Sequence, residues 1–128
     1  MDDGPMKAAE VFPVRRVYDP PGEADGVRVL VDRLWPRGVS KERAAVDAWP
    51  KEVTPSNELR TWFHQHRDQY EEFGRRYRAE LAGPEQQDAL HRLRELADAG
   101  TVTLVTAVKD VEHGHLPTLR AELMEGRA

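Results

Sequence analysis

The chain has 128 residues, enough for one domain with a proper core and too few for two. With 33% charged residues, 39% hydrophobic ones and a formal net charge of −4, it lacks the general electrostatic attraction of a basic protein for nucleic acid or anionic membranes. The absence of cysteine excludes thiol nucleophiles, disulfides and thiolate metal sites, and no apolar run reaches the length of a membrane span.

Residues 1–8 read as a disordered lead-in without the hydrophobic core of a signal peptide, so a cytoplasmic protein with one domain over residues 9–126 is expected. Val11 to Asp19 reads as a first strand, with Pro13 at its start or on a sheet edge because it has no N–H to donate. The turn cluster Pro20-Pro-Gly-Glu-Ala-Asp-Gly26 follows; its seven residues suit a hairpin but also permit other arrangements. Residues 27–33 form the second strand, with Val27, Val29 and Val31 on one face. That strand breaks into the polar turn Trp35-Pro36-Arg37-Gly38. Between Val27 and Ala44 lie five basic residues (Arg28, Arg33, Arg37, Lys41, Arg43) and two acidic ones (Asp32, Glu42), a local +3 that leaves −7 for the remainder.

Lys41 to Ala48 predicts a short helix capped by Ser40. A clearer helix begins at the N-cap Ser56, where Glu58 meets the helix dipole and Leu59, Trp62 and Phe63 fall at i, i+3 and i+4. Asp68 is the expected cap of the next helix, striped by Tyr70, Phe73, Tyr77 and Leu81. Gly83 stops that helix, and Pro84 opens a third in which Leu90, Leu93, Leu96 and Ala97 face inward until Gly100. Thr101 to Val108 is nearly free of charge, as a strand buried on both faces would be, and Lys109-Asp110 appear abruptly at its carboxyl end. Pro117 opens a last helix with Leu116, Leu119 and Leu123 on one side. The order β-β-α-α-α-β-α predicts a small single-domain α/β layered fold, with a short, mostly parallel sheet flanked by helices.

In open α/β sheets, ligands bind beyond the carboxyl ends of the strands. One such end carries Asp32, Arg33, Arg37 and Lys41, and the other Lys109 and Asp110; parallel neighbouring strands would bring them together. Guanidinium and ammonium groups suit a carboxylate or phosphate, so Arg33, Arg37, Lys41 and Lys109 are the candidate anion binders. Asp32 and Asp110 have three open roles: orienting the cations, acting as a base, or holding a magnesium ion through water. Structural bracing of strand ends by Asp–Arg pairs is the competing reading, and Asp32 and Arg33, adjacent in sequence, point to opposite faces. His64 and His66 lie roughly 200° apart around a helix and should not share a metal. His113-Gly-His115 sits in a loop and can converge, but two histidines without a third ligand make a weak zinc site, so no metal is assigned. A histidine at the start of the last helix can instead contact a bound anion or serve as an ordinary cap. The tryptophans and the tyrosine–phenylalanine stripe are assigned to the core, except that Pro36 can place Trp35 beside the cluster. No phosphate-cradling glycine loop and no G-x-S-x-G elbow are present, and Ser40 and Ser56 look like caps. Any catalysis would therefore be general acid–base or metal-assisted.

Arg28-Val-Leu-Val-Asp-Arg-Leu-Trp-Pro-Arg-Gly-Val-Ser-Lys41 closely resembles the signature of the small YeaO-like proteins of the family named only as domain of unknown function 488. Residues 55–64, 73–81 and 102–119 look like that family's later blocks, so the resemblance covers about residues 12–124. It implies a compact α/β domain of bacteria and archaea with no settled reaction, ligand or cofactor. It carries over Asp32, Arg33, Trp35, Pro36, Arg37, Gly38, Lys41, Arg60, His64, Lys109, Asp110 and His115. Two departures matter: Gly114 stands where asparagine is expected, and this cysteine-free chain lacks the Cys-Glu and Cys-His-Arg pattern of larger relatives.

Three functions follow from these residues. The first is a small enzyme on a phosphate-bearing or nucleotide-like anion, with Asp32, Asp110 or His64 moving protons and Trp35, Arg60 and His115 lining the site. The second is a non-catalytic module that senses a small anion or docks on a partner through the same cluster. The third, nucleic-acid binding by the +3 segment, is disfavoured by the net charge.

Overall fold

The computed structural model describes residues 11–126, so the lead-in expected over residues 1–8 lies outside the described residues. Among them, strands β1 (Val14–Arg16), β2 (Val27–Leu30) and β3 (Val102–Thr106) form one parallel sheet in the order β1-β3-β2. The register pairs Val14 with Leu104, and Val29 also with Leu104 from the other side. All five residues of β3 are buried, as the lack of charge there predicts for a strand covered on both faces. Its two buried hydroxyls, those of Thr103 and Thr106, donate to the Asp25 carbonyl and the Asp32 carboxylate, both at 2.6 Å.

Among the described residues five α-helices accompany the sheet: α1 (Lys41–Ala44), α2 (Asn57–Gln65), α3 (Tyr70–Leu81), α4 (Pro84–Ala99) and α5 (Leu116–Glu125). Val29, Val31, Val102 and Leu104 face the larger core, which Leu59, Phe73, Tyr77, Leu90, Leu93, Leu116, Leu119 and Leu123 complete from α2 to α5. The opposite face carries a smaller cluster of Val17, Val39, Ala44 and Val105 beneath α1. A single α/β domain with a short parallel sheet is therefore observed.

Several local expectations change. The first strand shrinks from residues 11–19 to Val14–Arg16, although Pro13 O and Val17 N still bond to Leu104 and Thr106 of β3. Pro13 thus sits at the strand's start, where its missing donor costs nothing. The glycine-rich segment makes no hairpin; it returns the chain so that β1 and β2 flank β3 in the same direction. The turn ends on Gly26 at φ 63°, where a Cβ would lie 2.2 Å from the Thr101 carbonyl oxygen. Ser40 does cap α1, accepting from Arg43 N at 3.1 Å, but the helix ends four residues early. Ala45 turns left-handed, and Asp47 and Ala48 run beside β2, with the Asp47 N–H donating to the Arg28 carbonyl at 2.7 Å. Gln69 rather than Asp68 occupies the N-cap of α3 and makes no side-chain cap bond. Leu96 is 40% exposed because the apolar stripe of α4 narrows to Ala89, Leu90 and Leu93. Trp35, Trp49 and Trp62 are only half-buried, Trp62 packing against the larger core and Trp35 against the smaller cluster.

A buried ion pair braces the smaller face. Arg28 Nη1 meets Asp25 at 2.5 Å, while its Nε and Nη2 donate to the Ala44 and Ala45 carbonyls that end α1. Arg28 therefore spends its charge on a helix end and an internal carboxylate, away from the basic turn that follows it.

Candidate functional site

Because the strands are parallel, the chain leaves β2 and β3 on the same side of the sheet. Asp32 comes one residue after Val31, whose N–H still bonds to the Val105 carbonyl at 3.0 Å. The Asp32 carboxylate then bridges to the end of β3, accepting from Thr106 Oγ1 at 2.6 Å and from the Ala107 N–H at 2.8 Å. His115, just before α5, brings Nε2 to 2.8 Å from the Val31 carbonyl and 3.3 Å from Asp32 Oδ1. Both neighbours are acceptors, so Nε2 carries the proton and, in the neutral ring, Nδ1 is the basic nitrogen. Asp32 and His115 side chains are only 13% and 9% exposed. Burial raises the Asp32 pKa, but the hydrogen bond and charge of His115, with Thr106 and Ala107, outweigh it and hold the carboxyl below its usual range.

Asp32 lies at the floor of a cleft of about 890 Å³ walled by the turn after β2, the carboxyl half of α2, and the loop from Ala107 to His115. Nine of the ten candidate residues line it: Asp32, Arg33, Trp35, Arg37, Arg60, His64, Lys109, Asp110 and His115. Lys41 does not; it opens α1 and is exposed outside the cleft.

The lining residues are not equally available to a ligand. Arg33 donates from Nε to Thr54 Oγ1 at 3.1 Å and to the Pro55 carbonyl at 3.0 Å, and from Nη2 to the Lys51 carbonyl at 3.3 Å. It pins the segment leading into α2. Trp35 donates to the Val39 carbonyl at 2.6 Å and packs edge-on against Trp49 at 5.4 Å, and Trp49 in turn donates to the Asp32 carbonyl at 2.6 Å. The turn carrying Arg37 is thus closed by two indoles, with Gly38 at φ 76° completing the bend. Arg37, Lys109, His64 and Arg60 are exposed, and Arg60 has an internal contact with Asn57 Oδ1 at 3.2 Å. Asp110 faces His113 Nδ1 at 3.0 Å, so the second carboxylate has a partner of its own. Tyr70 donates to the Gly114 carbonyl at 2.9 Å and holds that loop against α3.

Sequence reasoning missed several contributors to the walls, among them Arg67, Phe63, Phe73 and Leu34. Arg67 lies over the Phe63 ring at 5.3 Å, Phe63 stacks on Phe73 at 4.2 Å, and Leu34 projects into the opening. The spacing of Arg60, His64 and Arg67 follows one helical face and its continuation, which is a usable signal. No comparable signal marks Leu34 or the two phenylalanines, whose pattern is that of ordinary core residues. Among the described residues no group of three or more His, Cys, Asp or Glu side chains is placed to hold a metal ion. His113 and His115, the pair best spaced for one, are directed to Asp110 and to Val31 and Asp32 respectively.

Five cations and two carboxylates line the cleft, a formal excess of three positive charges on a chain of net −4. Fold and cleft together define a small parallel-sheet α/β domain with a cationic cleft beyond the ends of its strands. The chain belongs to the DUF488 family: the model described as "Inactive DUF488-N3 subclade" matches residues 11–127. It is 46% identical over 101 residues to the uncharacterized protein YeaO of Escherichia coli, covering 79% of this chain and 86% of that one. It is 44% identical over 114 residues to the uncharacterized protein Rv3073c of Mycobacterium tuberculosis, covering 89% and 93% respectively. No solved structure matches the chain. Among the described residues, no helix is long and apolar enough to cross a membrane.

Proposed function

We propose that this chain is a non-catalytic module that binds a small anion in the cleft beyond β2 and β3. The observation that carries the reading is the excess of cations there on an acidic chain, with Arg37 and Lys109 exposed at the rim and no carboxylate bound to either among the described residues. Three features favour binding over turnover. The chain has no cysteine, its buried carboxylate is already occupied by Thr106, Ala107 and His115, and the matching subclade is described as inactive. One feature favours a second reading, acid–base chemistry on the bound anion: Asp32 fixes the His115 tautomer that leaves Nδ1 basic.

Thermal unfolding with inorganic phosphate, sulfate and simple carboxylates tests the first reading. An anion present at 100 times its Kd adds about 2.7 kcal/mol to the stability, a rise of several degrees in Tm. Arg37→Ala removes a charge-assisted contact of roughly 1.5–3 kcal/mol and should weaken binding tenfold or more. If no anion raises Tm, or if Arg37→Ala responds like the wild type, the cleft does not hold anions in this way. Turnover of a bound phosphate ester that disappears in His115→Gln would favour the second reading.

A further inference from the structure

The cleft is much larger than a bare ion needs and falls in the range of about 300–1,000 Å³ that takes an organic molecule. Its charges occupy only part of the wall. Leu34 is 60% exposed, the highest value among the large apolar side chains exposed in the described residues, and of Tyr18, Leu34 and Leu96 it alone lines this opening. An apolar group that covers Leu34 gains free energy with each Å² of surface removed from water. Rings supply much of the remaining apolar wall: Trp35 follows Leu34, and Phe63 stands on α2 with Phe73 behind it at 4.2 Å. Arg67 lies over Phe63 at 5.3 Å, and its planar head is a stacking surface for flat groups as well as a cation. The excess of three positive charges is better matched by a dianion than by a single carboxylate.

We propose that the ligand of this cleft is an aromatic phosphomonoester, its phosphate held by the cations led by Arg37 and Lys109 and its ring covered by Leu34, Trp35 and Phe63. This assignment rests on the anion-binding reading above and adds the ring to it. The phosphate supplies the charge that the rim requires, and the ring supplies the surface that shields Leu34 from water.

Calorimetric titration of the full chain with inorganic phosphate, phenyl phosphate and cyclohexyl phosphate separates the two parts. Phenyl phosphate is expected to bind at least tenfold more tightly than inorganic phosphate, and more tightly than cyclohexyl phosphate. Leu34→Ser, a change at a mostly exposed side chain, should remove most of that advantage and leave the Kd for inorganic phosphate unchanged. Phosphate binding with no gain from the phenyl group overturns the ring site while leaving the anion site intact. Equal affinity for the cyclohexyl and phenyl esters, or a Leu34→Ser variant that retains the full advantage, also overturns it. No binding by any of the three compounds removes the anion reading as well.

Discussion

Asp32 joins the ends of two strands and the start of a helix through four donor–acceptor contacts, counting the Val31 carbonyl that shares His115 Nε2 with it. Its depressed pKa makes those contacts a source of pH-dependent stability. The contribution is complete above the ordinary carboxyl range near pH 4, and it is lost as pH falls through the lower value in the folded protein. Asp32→Asn should therefore destabilise the protein by about 2–3 kcal/mol at pH 7, where a charged acceptor is replaced by a neutral amide. Urea unfolding at stepped pH is expected to show that difference constant from pH 7 to about pH 5 and shrinking below about pH 4. A difference unchanged at pH 2.5, about one pH unit or more below the ordinary carboxyl value, would remove the carboxylate charge from this account. Asp25 is also held low, burial being outweighed by the Gly22 N–H, Arg28 and Arg15, but it is common to both proteins and cancels in the difference.

At the scale of elements, the helices were legible where a cap or breaker stands in sequence. Ser40, Ser56, Pro84 and Gly100 all mark helix boundaries as their chemistry dictates. Asp68 has the right chemistry but the chain enters α3 one residue later, so composition without backbone geometry misplaces that cap. Strand order was beyond reach for a physical reason: alternation shows which face of a strand is apolar but not which edge it offers to a neighbour. The candidate site was legible through the two strand ends, since parallel strands end on one side. The commitment of Arg33 to three acceptors was not, because those acceptors lie some 18 to 22 residues away on the approach to α2. Phe63 was hidden in a helix whose apolar stripe reads as core, whereas Arg67, just beyond that helix, continues the spacing of Arg60 and His64. The caps also couple elements. Glu80 of α3 accepts from Ser56 N at 2.9 Å and Ser56 Oγ at 2.5 Å, while Ser56 Oγ accepts from Leu59 N at 3.1 Å. Ser56→Ala should cost about 1–2 kcal/mol. In a double-mutant cycle with Glu80→Ala, the two changes should fall short of additivity by about 0.5 kcal/mol or more. Strict additivity would mean that Glu80 does not act through the cap.

At the scale of the molecule, β1 and β2 pair with β3 and not with each other, so the last strand in sequence is the first requirement of the sheet. Val29, Val31, Val102 and Leu104 make one continuous floor for α2 to α5, and removing β3 takes half of it away. A chain ending at Gly100 should therefore show no cooperative thermal transition and no dispersed amide spectrum. A sharp transition in that truncated chain would mean that β1, β2 and α2 to α4 form a stable body without β3.

The central place of β3 has a consequence for biosynthesis. About 100 residues must be made before the strand that joins the other two exists, an interval of about 5–20 s at ordinary rates of translation. During that interval both earlier strands present unpaired backbone edges, and the apolar faces of α2 to α4 lack their floor. The nascent chain is thus an open template until β3 emerges from the ribosome, and the sheet can close only once that strand has been made.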